Sequence, residues 1–412
     1  MKRFKNETHG QRHTMGHGFG GNRMRPIPEI LIASATLALG LSCSAHACEF
    51  KIGAAGPLSG AATQWGLAIK GAADFVAAEV NQKGGLKVGG ETCTISVVSA
   101  DSKYTAEGAA AAANNFASLG VKFVLGPIGS PEVTGMKPLA TRNKIIMLSD
   151  SYARDAIGPR WPLTFHMGPG PAAWGDPIVK LAKEKFKIKK ALTIAPNDQA
   201  GTDVAEVAAQ VYKKNGIPTT LEYYQRGTAN FAPIVTRIMS DKPDVVDTVS
   251  TPPGDAGILV KQLRQAGFEG VIGRLGGPGT QEILRIAGGK DVVRNFYWFE
   301  PVYVDDNVRK LQDEYRTLLK AEPPENNFFY LFVAGGRALT QAITAAGTYK
   351  DADKVAEALR GLQVTDPNLG KGRWIGKASY GIEQELSLPF AIGLIENGEQ
   401  KPDQRVDAPS DQ

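Results

Sequence analysis

The chain has 412 residues, 42% of them hydrophobic, and a formal charge of +5. Residues 1–47 hold six Lys or Arg and two acids, so the remainder is near +1, with no basic surplus to hold nucleic acid or an anionic membrane surface. Of five histidines only His166 lies beyond residue 47, which with two further cysteines is too few for a His-rich zinc or iron site.

In chain order, residues 1–23 are polar and have no apolar period. Met24 and Arg25 then give a short basic start, Ile30 to Leu41 an apolar run, and Ala45–Ala47 a small-x-small cleavage signal. The run falls short of the roughly 20 residues that cross a bilayer. This order is that of a leader and secretory signal peptide over residues 1–47, removed after Ala47. Met24 is an alternative initiator, and a competing lipoprotein reading at Cys43 meets Gly40 where that motif wants Leu. In an exported protein the remaining pair, Cys48 and Cys93, points to a disulfide if the apolar runs they begin are neighbouring parallel strands in register. Two free buried thiols are the alternative.

The mature chain alternates short β-branched runs with longer amphipathic stretches, the pattern of parallel sheets covered by helices. Strands are expected near 50–55, 93–100, 121–126 and 144–149, with helices near 63–83, 105–119 and 131–142 between them. The Pro- and Gly-dense "GPRWPLTFHMGPGPAAWGDP" breaks the series. A second series places strands near 190–195, 219–224, 244–250 and 271–273, and helices near 171–186, 201–215, 231–241, 255–267 and 279–287. Helices near 305–320, 327–346 and 352–360 follow, then short strands and turns, with the last eight or so residues read as disordered. Two βα blocks of similar length point to two similar lobes.

Catalytic signatures are missing. There is no G-x-S-x-G and no G-x-x-x-x-G-K-[ST]. The relaxed dinucleotide pattern at 168–173, "GPGPAA", carries Pro169 and Pro171, which remove N–H groups that a pyrophosphate needs. The Gly-rich turn "GAAGPLSGAATQWG" departs from phosphate loops in the same way at Pro57. It reads better as a tight turn at the carboxyl end of the first strand, the edge where open α/β sheets bind small ligands. Trp65, one turn later, either overhangs that edge or packs in the core.

The stretches "KIGAAGPLSGAATQWGLAIKGAADFVAAEVNQKGG", "SVVSADSKYTAEGAAAAANNF", "VKFVLGPIGS", "IIMLSDS" and "LVKQLRQAGFEG" resemble the periplasmic leucine/isoleucine/valine-binding proteins, type I solute receptors of ABC importers. The resemblance covers nearly the whole mature chain. It implies an α/β fold of two Rossmann-like lobes joined by three crossovers and closing on a ligand in the cleft. Residues 48–168 plus 300–385 would form lobe 1, and 169–299 plus 386–412 lobe 2.

By the same resemblance, the family's carboxylate-binding serine falls at Ser130, read as the N-cap of a helix beginning with Pro131, where backbone N–H groups favour an anion. The residue binding ligand through its backbone falls at Ser151. The family's threonine two residues later is replaced by Ala153, for which Asp150 or Tyr152 are substitutes. In the second lobe an expected tyrosine falls at Ala200, and a further contact falls near Thr251. The glutamate that pairs with a ligand ammonium falls near Leu275, beside Arg274, and Asp198 or Asp255 are the other acids in reach of the cleft. Phe328 matches the aromatic wall, with Tyr330 close by.

A buried ammonium without a carboxylate is costly, so these departures lower the expectation for branched-chain amino acids and favour a roomier, aromatic-walled pocket. The implied protein is not an enzyme and needs no cofactor or metal. It is a monomeric periplasmic receptor that delivers an amino acid or related small organic carboxylate to the permease and ATPase subunits of an ABC importer. Its expected ligand residues are Trp65, Ser130, Ser151, Tyr152, Ala153, Asp198, Thr251, Arg274, Phe328 and Tyr330. The alternatives are a sensing module feeding a signalling partner, or a receptor for an amide or an aromatic or keto acid.

Overall fold

The structure is a computed structural model and describes residues 48–410; the expected leader, the cleavage signal and Cys43 lie outside the described residues. The chain begins with β1 (Cys48–Gly56), α1 (Thr63–Gln82), β2 (Leu86–Val88), β3 (Glu91–Asp101), α2 (Ala106–Ser118), β4 (Phe123–Ile128), α3 (Ser130–Arg142), β5 (Ile146–Asp150) and β6 (Thr164–Met167). It continues through α4 (Pro171–Phe186), β7 (Ala191–Pro196), α5 (Gln199–Lys214), β8 (Thr219–Tyr224), α6 (Ala232–Asp241), β9 (Val245–Asp247) and α7 (Pro253–Gln265). Next come β10 (Val271–Arg274), α8 (Thr280–Ala287), α9 (Lys290–Val293) and β11 (Phe296–Glu300). Then follow α10 (Asp306–Leu319), α11 (Phe328–Ala346), α12 (Ala352–Gly361), β12 (Thr365–Asp366), β13 (Gly370–Lys371), β14 (Arg373–Ile375), α13 (Lys377–Tyr380), β15 (Glu385–Ser387), β16 (Phe390–Glu396) and β17 (Glu399–Val406).

Two sheets organise these elements. The first has the order β14-β15-β6-β5-β4-β1-β3-β2, and the second β17-β16-β11-β10-β9-β7-β8. Their central strands are parallel; antiparallel strands finish both edges of the first sheet and one edge of the second, whose other edge is the parallel strand β8. Central strands such as β4, β5 and β7 are buried along their whole length, which is why they read as unbroken apolar runs and not as alternating ones. The chain passes between the sheets three times, after Met167, after Glu300 and after Ser387. This is the two-lobed α/β fold that the resemblance implies.

Helix α11 is apolar almost all round because α1, α12 and the first sheet all pack on it. Its buried Arg337 is neutralised by Glu79 at 2.9 Å and Asp366 at 3.1 Å. β1 and β3 run parallel with Cys48 opposite Cys93, and the two sulfurs are bonded.

Several elements differ from the sequence reading, among them β11, α9 and α13, which it did not place. "TFHM", inside the expected break, forms β6; its four buried residues are too few to show a period, and pairing with β5 and β15 holds them extended. The run at 244–250 supplies only β9, after which the chain turns through Ser250 at φ 53°. The glycines after α1 open a hairpin, β2 on β3, as well as ending the helix. At the other end, Arg405 and Val406 lie in β17, and Ser387 Oγ donates to the Pro409 carbonyl at 2.7 Å, so order extends into the tail read as disordered.

Candidate functional site

The carboxyl ends of β1, β3, β4 and β5 on one lobe face those of β7, β9 and β10 on the other. Between them lies a narrow chamber, lined by Trp65, Tyr104, Ser130, Asp150, Tyr152 and Phe328 together with Ile128, Gly129, Ser151, Ala200, Ser250, Gly276 and Gly277. The lobes meet around it. Trp65 Nε1 donates to the Pro278 carbonyl at 3.0 Å, and Asn326 Nδ2 reaches the same oxygen at 3.2 Å. On the far side, Arg154 N–H donates to Asp203 at 3.1 Å and Gln199 to Asp155 at 3.0 Å. Arg226 lies 4.6 Å over the ring of Tyr104.

The rim turn shows why it holds no phosphate. Leu58 N–H and Ser59 Oγ both donate to the Asp101 carboxylate at 2.8 Å, so an acid from β3 already fills the turn. Burial acts upward on Asp101, but the N–H donors of Lys103 and Leu58 and the Ser59 hydroxyl outweigh it and hold the carboxyl below its usual range. A Cβ on Gly66 would sit 2.1 Å from the Pro57 carbonyl oxygen, so only glycine lets α1 start this close to the turn. That approach sets Trp65 against Tyr104 and Phe328, with centroids 5.7 and 6.3 Å away.

Ser130 is the first residue of α3, not its cap. Gly129, at φ 92°, takes the cap position and leaves the hydroxyl free for other bonds. Ser130 Oγ lies 2.9 Å from Ser151 Oγ and accepts the Ala153 N–H at 3.1 Å. Two hydroxyls and a helix N-terminus therefore share one wall of the chamber, a pole suited to a carboxylate. Asp150 is the acid in the lining. Burial pushes it up to about 7, against the pull of His166, whose Nε2 lies 4.0 Å away. His166 sits between Asp150 and Glu385; burial pulls its pKa down, but the two acids win and raise it.

The structure brings Trp65, Ser130, Ser151, Tyr152 and Phe328 together on the chamber and leaves five other expected residues off its lining. Ala153 is buried and takes part through its backbone N–H alone. Asp198 caps α5 through the Gly201 N–H and is paired with Arg226, so it is already neutralised. Asp255 is likewise committed, to Tyr224 and the Gly227 N–H, each at 3.0 Å. Thr251 points inward to the Val249 and Ile194 carbonyls, and the turn after β9 presents its neighbour Ser250 instead. Tyr330 faces α10, where its hydroxyl accepts from Gln312 at 2.6 Å. Arg274 is fully buried behind Gly277. Sequence reasoning missed Tyr104, whose signal was an aromatic in the turn just after β3, the same edge that marked Trp65.

A larger crevice of about 790 Å³ lies beyond the Trp65–Pro278–Asn326 contact, with Glu282, Glu300, Glu325 and Asp403 in its lining. Its greater size does not make it the better site for an acid, because four carboxyl groups repel one and no basic side chain lines it.

Two lobes of parallel sheet, connected three times and meeting over a small polar and aromatic chamber, define a receptor that encloses a solute. Residues 49–383 match the family model described as periplasmic binding protein, and the chain belongs to that family. It is a solute-binding protein, not an enzyme. The Leu/Ile/Val-binding protein BraC3 of Rhizobium johnstonii is 25% identical over 375 residues, covering 89% of this chain and 97% of that one. The leucine-, isoleucine-, valine-, threonine- and alanine-binding protein of Pseudomonas aeruginosa is 25% identical, covering 82% of this chain and 90% of that one. Among solved structures, the substrate-binding protein LivJ of Streptococcus pneumoniae with isoleucine superposes with a TM-score of 0.74 at 21% identity, covering 87% of this chain and 99% of that one. A solute-binding protein of R. palustris with benzoate gives 0.71 at 18% identity, covering 88% and 98%.

Proposed function

We propose that the chain is the extracytoplasmic receptor of an ABC importer and that it carries a small organic carboxylate to the permease and ATPase subunits. The observation that carries this reading is the Ser130–Ser151–Ala153 cluster at the head of α3, inside a chamber that both lobes close. A carboxylate there gains charge-assisted hydrogen bonds and the favourable end of a helix dipole. Trp65, Tyr104, Tyr152 and Phe328 supply apolar faces for the rest of the ligand. The relatives named for branched-chain amino acids and the neighbour holding benzoate bracket the class: a branched or aromatic amino acid, or an aromatic or keto acid. Export through a cleaved signal peptide and a monomeric state complete the proposal; the family is periplasmic.

The test is a thermal-shift screen of amino acids, aromatic acids, keto acids, amides and dicarboxylates on refolded, ligand-free protein. A ligand that binds only the folded state raises the melting temperature by mass action. A carboxylate that stabilises wild type and does so less in Ser130→Ala supports the reading. Stabilisation by amides alone, or by no solute, overturns it.

A further inference from the structure

Arg274 ends β10 at the carboxyl edge of the second sheet and has no exposed surface. Its Nε donates to the Gly277 carbonyl at 2.6 Å, while Nη1 and Nη2 have no hydrogen-bond partner among the described residues. Arg337, also buried, is met by two carboxylates. The acid that acts most strongly on Arg274 is Asp247, but that carboxylate already accepts from Tyr212 at 2.6 Å, Leu275 N–H at 2.9 Å and Tyr297 at 3.4 Å. A buried cation with two idle donor groups is costly, and an acceptor oxygen brought by a ligand would offset that cost.

The guanidinium lies just behind the chamber wall. A Cβ on Gly277 would stand 3.6 Å from Arg274 Nη2 and 3.0 Å from Trp65 Cζ2, so Gly277 lies between the cation and the tryptophan. Gly276 and Gly277 both line the chamber at positive φ, 141° and 71°. Gly277 therefore stands between the chamber and Nη2 with no side chain of its own, and the Trp65 ring packs against the same spot. Opposite stands the serine pole on the other lobe.

We infer that Arg274 is an anion subsite of the chamber, taking a second acceptor oxygen of the ligand, so that the solute is an aromatic or keto acid without an ammonium group. This rests on the receptor reading above. The charge inventory of the walls supports it. Arg226 is spent on Asp198, and Asp150 is held between two states of charge near neutral pH with His166 beside it. Among the described residues beside the chamber, Arg274 is a cation whose Nη donors are unmet, its nearest acid, Asp247, being hydrogen-bonded elsewhere. An ammonium would meet that field unpaired, whereas a carboxylate, enolate or phenolic oxygen answers it.

The experiment compares matched solutes on refolded, ligand-free protein by calorimetry: leucine against 4-methyl-2-oxopentanoate, tyrosine against 4-hydroxyphenylpyruvate, and benzoate against 4-hydroxybenzoate. The ammonium-free member of each of the first two pairs is expected to bind at least tenfold more tightly, and 4-hydroxybenzoate at least fivefold more tightly than benzoate. In Arg274→Gln the ratio of 4-hydroxybenzoate to benzoate affinity should fall toward one, and Arg274→Lys should retain part of it. Tighter binding of the amino acids by wild type overturns the inference with no variant needed, which covers the case in which Arg274→Gln fails to fold. Acids that bind with ratios unchanged in Arg274→Gln overturn the Arg274 assignment and leave the receptor reading standing. Binding of none of these solutes overturns both.

Discussion

Trp65 Nε1 donates to the carbonyl oxygen of Pro278 across the cleft, at 3.0 Å, and the same oxygen takes a second hydrogen bond from Asn326. One carbonyl of the second lobe is thereby latched to two elements of the first. The indole that supplies the latch also forms a wall of the ligand chamber, so closure and ligand contact share a side chain. A ligand touching both lobes stabilises the closed form through its contacts to each, and the latch adds to that bias.

Trp65→Phe keeps an aromatic face and removes the donor. A net hydrogen bond contributes about 0.5–1.5 kcal/mol, so ligand affinity should fall by roughly twofold to tenfold. The ligand-free protein should also open, seen as a larger radius of gyration in small-angle scattering. An unchanged radius together with unchanged affinity removes the latch role.

Ser130→Ala removes the hydroxyl that joins Ser151 and Ala153 at the anion pole. Hydrogen bonds to charged groups contribute about 1.5–3 kcal/mol, and a loss in that range is expected for a carboxylate ligand by calorimetry. Ser151→Ala should cost part of the same energy, and the double variant less than the sum, because the two hydroxyls act through one bond. Strict additivity would separate them.

Reducing the Cys48–Cys93 bond, or replacing both cysteines by serine, frees a loop of 45 residues in sequence separation in the unfolded chain. Such a closure contributes about 2–4 kcal/mol, so the melting temperature should drop by several degrees while ligand affinity at 25 °C stays close to wild type. The bond lies at the start of β1, at the opposite end of that strand from the chamber rim. A large loss of affinity without a loss of stability would contradict this.

Most of the fold was legible because parallel strands buried on both faces and amphipathic helices write distinct periods into sequence. β6 was not, since four residues hemmed in by Pro162 and Gly168 carry no period, and only β5 and β15 make them a strand. The site was legible where a single turn defines it. Ser130 follows the end of β4 almost directly, and Trp65 stands in the first turn of the helix after β1. Tyr104 stands at φ 59° and Ser250 at φ 53°, and those backbone states, invisible in composition, decide that both face the cleft. Asp198 was read onto the cleft for a different reason. Whether an ion lines a cavity depends on what neutralises it, and Arg226, the partner of Asp198, lies 28 residues further along the chain.

Stability should fall as pH rises from about 5 to 8. Burial, only partly offset by hydrogen-bond donors and nearby cations, raises Asp150 and Glu300 to about 7 and Asp247 to about 6, all above the values these groups have in an unfolded chain. Between the unfolded and folded values the native state holds more protons, so the slope of unfolding free energy with pH is negative there. His166, raised by its two acids, acts in the same direction: the stability it contributes is present below its unfolded value and is lost as pH passes the folded one. The acid end of the window is bounded by the lowered groups, Asp101 and Glu79, whose contribution disappears when they protonate. Melting curves of ligand-free protein at constant ionic strength should therefore peak on the acid side of neutrality. Asp150→Asn should flatten the descent between pH 6 and 8, because an amide keeps the shape of the neutral acid and cannot ionise; a descent of the same steepness in that variant would show that Asp150 is not among its sources.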